Sequence, residues 1–149
     1  MSEDELLRQA FAAARRAAVN GNPPFGSVLV DGAGEIVLEA ENDMLTTGDV
    51  TGHAEINLIR AASLEFGPAL GGYTLYTSCE PCAMCAVAAY WSGLDRIVFG
   101  LSHPRLVEIR GEGGPPMINL RCHEVAERGV RSMAVTGPML EDEAAALFG

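Results

Sequence analysis

Thr77-Ser78-Cys79-Glu80-Pro81-Cys82-Ala83-Met84-Cys85 is the stretch from which the rest of the chain can be read. Pro81 suits the first turn of a helix, where a missing N–H is no loss. Cys82 and Cys85 then lie three apart, with both sulfurs on one helix face. The partial positive charge at a helix N-terminus favours thiolates over thiols. Two thiolates so placed supply half the shell of a tetrahedral metal such as zinc. Upstream, His53-Ala54-Glu55 offers a third donor in His53. Three protein donors leave one position for water, the pattern of a catalytic rather than a structural zinc. Glu55 points to a different side of its helix from His53, so it reads as a neighbour of that water and not as a ligand.

Other uses of these residues are possible. Cys82 and Cys85 alone would suit a structural zinc knuckle, and Cys79, Cys82, Cys85 and Cys122 together suggest an iron–sulfur ligand set. Cys122 lacks the Cys-Pro context of that set, and neither alternative uses His53, Glu55 or Pro81.

Outward from this stretch, the chain reads as α/β. Ser2-x-x-Glu5 is a capping box, followed by an apolar helical stripe from Leu6 to Ala18 that ends near Asn20-Gly21. Asn22-Pro23-Pro24-Phe25-Gly26 is a rigid loop before the strand Ser27–Val30. Asp31-Gly32-Ala33-Gly34 turns the chain into a returning strand over Glu35–Ala40. Residues 42–52 are a polar loop, 53–66 a helix, and 73–77 a strand. The cysteine helix then runs to Trp91, with a strand at 96–99 after it. The Gly/Pro-rich segment 100–116 reads as a long loop. A helix over 119–128, a strand over 130–135 and a terminal helix over 141–148 complete the order. Alternation of β with α in the second half predicts parallel strands, and the first pair an antiparallel hairpin. The expectation is one domain over 1–149, with a five-stranded mixed sheet covered by helices on both faces.

Composition narrows the function further. The 149 residues hold 20 acidic and 10 basic side chains, a net charge of −10. Each phosphate contact wants a Lys or Arg, so a long nucleic-acid surface is not expected. The start, Met1-Ser2-Glu3-Asp4-Glu5, is acidic where a targeting peptide is basic, and the apolar runs are too short to span a bilayer. A cytoplasmic protein with reduced cysteines is the expectation.

Three segments together resemble the cytidine deaminase-like superfamily: Asn22–Gly26, Gly52-His53-Ala54-Glu55, and Thr74–Cys85. The likeness is to the branch of guanine deaminases, tRNA adenosine deaminases and fungal-type cytosine deaminases. It implies a three-layer α/β/α sandwich, one Zn2+ per subunit and a homodimer. It further implies that Asn42 hydrogen-bonds a base. The implied chemistry is attack of zinc-bound hydroxide on an amidine-like ring carbon, with Glu55 shuttling protons and ammonia leaving. Tyr76–Cys82 and the Tyr90-Trp91 pair look most like free guanine deaminases, while Val135–Leu140 and the acidic tail are similar to the tRNA enzymes without their basic extension. The expected substrate is therefore a free nucleobase, guanine-like first, with cytosine, isocytosine and amino-triazines as alternatives. A zinc-stabilised binding module is the non-enzyme alternative. A carboxylate facing the amino-amidine edge would select guanine-like bases. Glu143 is the candidate, with Glu108, Glu112 and Asp142 as rivals. Phe25, Trp91, His103 and Phe148 complete the expected substrate contacts.

Overall fold

The computed structural model describes residues 1–149. The first helix, α1 (Glu3–Val19), starts on the expected capping box: the Ser2 hydroxyl accepts from the Glu5 N–H, and the Glu5 carboxylate accepts from the Ser2 N–H. Its buried stripe is made largely of alanines, Ala10, Ala13, Ala14 and Ala17, so its backbone can lie close to the sheet. It does so over Gly26, where an added Cβ would meet the Ala14 backbone nitrogen at 2.3 Å. Glycine is required there by a helix backbone, not by a turn.

The strands are β1 (Gly26–Val30), β2 (Ile36–Glu41), β3 (Thr74–Cys79), β4 (Arg96–Leu101) and β5 (Ala134–Thr136). They form one five-stranded sheet in the order β2-β1-β3-β4-β5. β1 is antiparallel to both β2 and β3, whereas β3, β4 and β5 are parallel. The remaining helices are α2 (Met44–Thr47), α3 (Ala54–Phe66), α4 (Ala83–Trp91), α5 (His103–Arg110), α6 (Cys122–Glu127) and α7 (Glu141–Ala145), with a 3-10 turn at Ala146–Phe148.

Two apolar clusters fill the two faces of the sheet. One joins Leu7 and Phe11 of α1, Leu106 of α5 and Ala144 of α7 to Val28, Tyr76 and Val98. The other joins Leu58 and Ala62 of α3, Ala86 and Ala89 of α4 and Cys122 of α6 to Leu29, Leu75 and Ile97. The alternation of Leu75 and Tyr76, or Ile97 and Val98, between clusters is the period-two pattern of a strand buried on both faces. The expected three-layer α/β/α sandwich is present.

Five local expectations are corrected. Pro81 stands just before α4 and not in its first turn: Cys82 is the N-cap, with extended backbone angles (φ −64°, ψ 171°), and Ala83 is the first helical residue. The segment 100–116 is not one long loop, because Leu101 ends β4 and α5 follows. The Ser102 hydroxyl accepts from the Arg105 N–H and Pro104 sits in the first turn. The polar loop 42–52 likewise contains the short α2. The expected helix over 119–128 shortens to α6, and the last strand moves to 134–136. Residues 130 and 131 are instead held by Tyr90, whose hydroxyl accepts from both backbone N–H groups.

Candidate metal and active site

Two helix starts converge on the far side of β1 and β3 from α1. His53 is the N-cap of α3 and Cys82 the N-cap of α4, with Cys85 one turn further on. His53 Nδ1 lies 3.6 Å from Cys82 Sγ and 3.5 Å from Cys85 Sγ. All three donor atoms fall within 4.8 Å of one another. One imidazole and two sulfurs, drawn together at two positive helix ends, fit Zn2+ in donor type and number. The hydrogen bond from the Cys85 thiol and, against the penalty of burial, that from His53 hold the Cys82 thiol down to about 4. Cys82 is therefore a thiolate at neutral pH. The same hydrogen bond to Cys82 raises His53 above its ordinary value.

Glu55, in the first turn of α3, is buried beside this cluster, only 6% exposed. Its Oε1 accepts from the Thr77 hydroxyl at 3.1 Å. Burial first, and then the Cys82 charge, push its carboxyl above the ordinary range. Cys79 stands apart from the donor group. It is buried, and burial raises its thiol far above the usual value.

Glu80, within the cysteine motif, holds the surrounding walls. Its carboxylate accepts from the backbone N–H groups of His103 and Cys122, the first residues of α5 and α6, and from the Arg121 guanidinium. Burial pushes the Glu80 carboxyl up, but the bonds from Arg121, His103 and Cys122 outweigh it and hold it below the ordinary range.

The expected substrate contacts divide into two groups. Asn42 is buried, its N–H donating to the Phe25 carbonyl and its Oδ1 accepting from the Met44 N–H. That arrangement fixes the side chain while leaving the Nδ2 donors unassigned to any protein acceptor. Phe25 meets Phe148 edge to face, with ring centroids 5.6 Å apart. His103 lines a cavity of about 440 Å³ shared with Arg110, Met117 and Asn119. These residues lie on one connected wall.

Trp91 and Glu143 do not join that wall. Trp91 is 79% exposed at the end of α4, touching only the edge of Tyr90 among the aromatic rings. Glu143 receives two hydrogen bonds from Arg8, at 3.0 and 2.8 Å, and ties α7 to α1 at the surface. The rival acids fare no better. Glu108 and Glu112 are exposed, and Asp142 faces Arg105. Charge alone had nominated these acids, and charge does not tell a surface pair from a pocket. Thr77 and Glu80 were missed although both stand inside the quoted motif. Their signal was a run of polar side chains, Thr77, Ser78 and Glu80, at and just past the end of a strand that leads into the cysteines.

The comparisons with known proteins agree with this geometry. Residues 1–101 match the family described as the cytidine and deoxycytidylate deaminase zinc-binding region. The chain is 37% identical to a probable cytosine deaminase of Schizosaccharomyces pombe over 97% of its own length and 90% of the relative's. It is 38% identical to the guanine deaminase of Bacillus subtilis over 72% of its length and 70% of that enzyme's. A solved structure from work on A-to-I editing by tRNA:A34 deaminases superposes with a TM-score of 0.73, at 29% identity, covering 97% of this chain and 99% of that one. With His53, Cys82 and Cys85 brought to one point in this fold, the chain belongs to the zinc-dependent cytidine and deoxycytidylate deaminase family.

Proposed function

We propose that this hydrolase deaminates a free aminated nucleobase, with Glu55 as the proton carrier and His53, Cys82 and Cys85 as the zinc ligands. The observation that carries the reading is the buried Glu55 carboxylate, anchored at one oxygen by Thr77 beside the three-donor cluster. His53, Cys82 and Cys85 would hold the zinc ion, which would supply a bound water of pKa near neutrality beside Glu55. Thr77 fixes Glu55 Oε1, leaving Oε2 to take a proton. Glu55 then returns protons, first to a ring nitrogen and then to the departing amine. In balance, an aminated ring carbon and water become a ring carbonyl and ammonia.

A free base suits the surroundings better than a tRNA loop. The net charge of −10 supplies few cations for a phosphate backbone. Phe25 and Phe148 give a small aromatic wall against which a flat heterocycle can stack. The guanine preference rested on the likeness of Tyr76–Cys82 and Tyr90-Trp91 to guanine deaminases; the carboxylate expected to read guanine's amino-amidine edge, Glu143, is engaged by Arg8 instead. Cytosine, whose ring carbonyl lies one ring nitrogen away from its amino-bearing carbon, therefore becomes the first substrate, and guanine the second.

The expected homodimer finds support on α4. Met84, Val87 and Trp91 recur along one exposed face of this helix, an apolar stripe suited to burial against a second copy.

The test is ammonia release from cytosine, guanine, isocytosine, adenine, ammeline and their nucleosides. Glu55→Gln should keep one zinc per subunit and lose about 10²- to 10⁴-fold in kcat. Full ammonia release by that variant would refute the mechanism, and tight salt-sensitive tRNA binding would refute the free-base substrate.

A further inference from the structure

Five arginines, Arg8, Arg16, Arg96, Arg105 and Arg121, sit in ion pairs. Arg131 instead donates to main-chain carbonyls, among them Leu94 at 2.7 Å. Arg110, the last residue of α5, is held differently. Its Cζ lies 5.3 Å from the centroid of the Phe25 ring, and its one hydrogen bond is to Met117 Sδ at 3.7 Å. Glu108 and Glu112 flank it in sequence, yet neither pairs with it. A half-buried guanidinium with only a thioether acceptor, in a chain with twice as many acids as bases, is left with strong donors to satisfy.

Its position gives those donors a direction. Arg110 and His103, at opposite ends of α5, line the same cavity of about 440 Å³. The His103 end is tied to Glu80 beside the cysteine motif, and the Arg110 end lies on Phe25, whose carbonyl holds the Asn42 N–H. A guanidinium resting over a ring keeps the N–H groups that point away from the ring for an acceptor.

We propose that Arg110 is a specificity-determining residue whose guanidinium donates to an acceptor oxygen of the substrate, the ring carbonyl that lies one ring nitrogen away from the amino-bearing carbon. The proposal rests on the deaminase reading and adds to it a requirement for a carbonyl-bearing base. A nucleotide phosphate offers acceptor oxygens of the same kind, and the test separates the two.

The experiment compares the zinc-loaded wild type with R110M and R110K on matched substrates. Cytosine is set against 4-aminopyrimidine, guanine against 2-aminopurine, and cytosine against dCMP. Loss of a charged hydrogen bond to substrate predicts that R110M raises KM for cytosine or guanine about 10- to 100-fold, with kcat within about threefold. KM for the carbonyl-free partner should not move, and R110K should recover part of the loss. An unchanged KM in R110M, equal losses with and without the carbonyl, or a larger loss for dCMP than for cytosine would each overturn the assignment. If the wild type releases no ammonia from any of these compounds, the deaminase reading fails on its own account. Calorimetry with uracil then decides Arg110 separately: binding that R110M abolishes supports it, and binding equal in both proteins, or absent from both, overturns it.

Discussion

Thr77→Val isolates the hold on Glu55 with the least disturbance, since it exchanges one hydroxyl for a methyl of similar size. In the native protein the Thr77 hydroxyl donates to Glu55 Oε1 at 3.1 Å, and its contact with the Gly26 carbonyl, at 3.4 Å, is too long to contribute much. A hydrogen bond to a charged group contributes about 1.5–3 kcal/mol. If all of it serves to keep the carboxylate where the proton moves, kcat falls about 10- to 100-fold, at about 1.4 kcal/mol per factor of ten. KM should stay within about twofold, because Thr77 lies beneath Glu55 on β3 and not on the Phe25–Phe148 wall. The zinc content should be unchanged, because neither Thr77 nor Glu55 belongs to the three-donor cluster. The assay is steady-state ammonia release, with metal analysis and a thermal melt on the same preparation. Thr77→Ser keeps the hydroxyl and should recover most of the rate. A folded, zinc-replete Thr77→Val enzyme with kcat within twofold of wild type would refute the anchoring role.

Three further outcomes are expected. Glu80→Gln leaves Arg121 with a neutral acceptor and weakens the tie to α5 and α6; with Arg121 partly solvated the loss is about 1–3 kcal/mol, seen as a melting temperature several degrees lower. Glu143→Gln removes an exposed pair with Arg8 and should leave kcat/KM for every base within twofold; a selective loss on guanine would return this residue to the pocket. Trp91→Glu places a charge in the apolar stripe of α4 and should shift the proposed dimer to monomer in light scattering, whereas a dimeric mass unchanged from wild type would move the interface elsewhere.

What could be read from the sequence follows the range of the interactions involved. The Ser2–Glu5 capping box, the first four strands and the donors at Cys82 and Cys85 are set by near neighbours in sequence, and each appears within a residue or two of where the pattern put it, whereas the last strand moved. His53 was placed with them by its motif rather than by distance, since 29 residues separate it from Cys82. Helix α5 was missed because Gly100, Pro104 and the glycines after it outweighed a local signal that was present, Ser102 as cap with Pro104 in the first turn. The pairs Glu80–Arg121 and Arg8–Glu143 carry no such signal. They join residues 41 and 135 positions apart, and only the fold decides which acid finds which arginine. Trp91 misled for a related reason: an aromatic at a helix end reads the same whether it faces a ligand, the core or solvent.

The division of labour between Cys82 and Glu80 explains how one short motif serves both chemistry and recognition. Cys82 faces the starts of α3 and α4 and shares the metal cluster with His53 and Cys85. Two residues earlier, Glu80 turns to the other helix starts and receives N–H groups from the first residues of α5 and α6. A carboxylate is favoured there for the same reason a thiolate is favoured at Cys82, since helix N-termini carry partial positive charge. The metal side is thus held by α3 and α4, while the wall bearing His103 and Arg110 hangs from Glu80 through α5. A change at Glu80 should therefore act first on how a base is bound and only secondarily on zinc. In Glu80→Gln that separation is measurable as a rise in KM at unchanged metal content, and a loss of zinc in step with KM would show that the two sides are one unit.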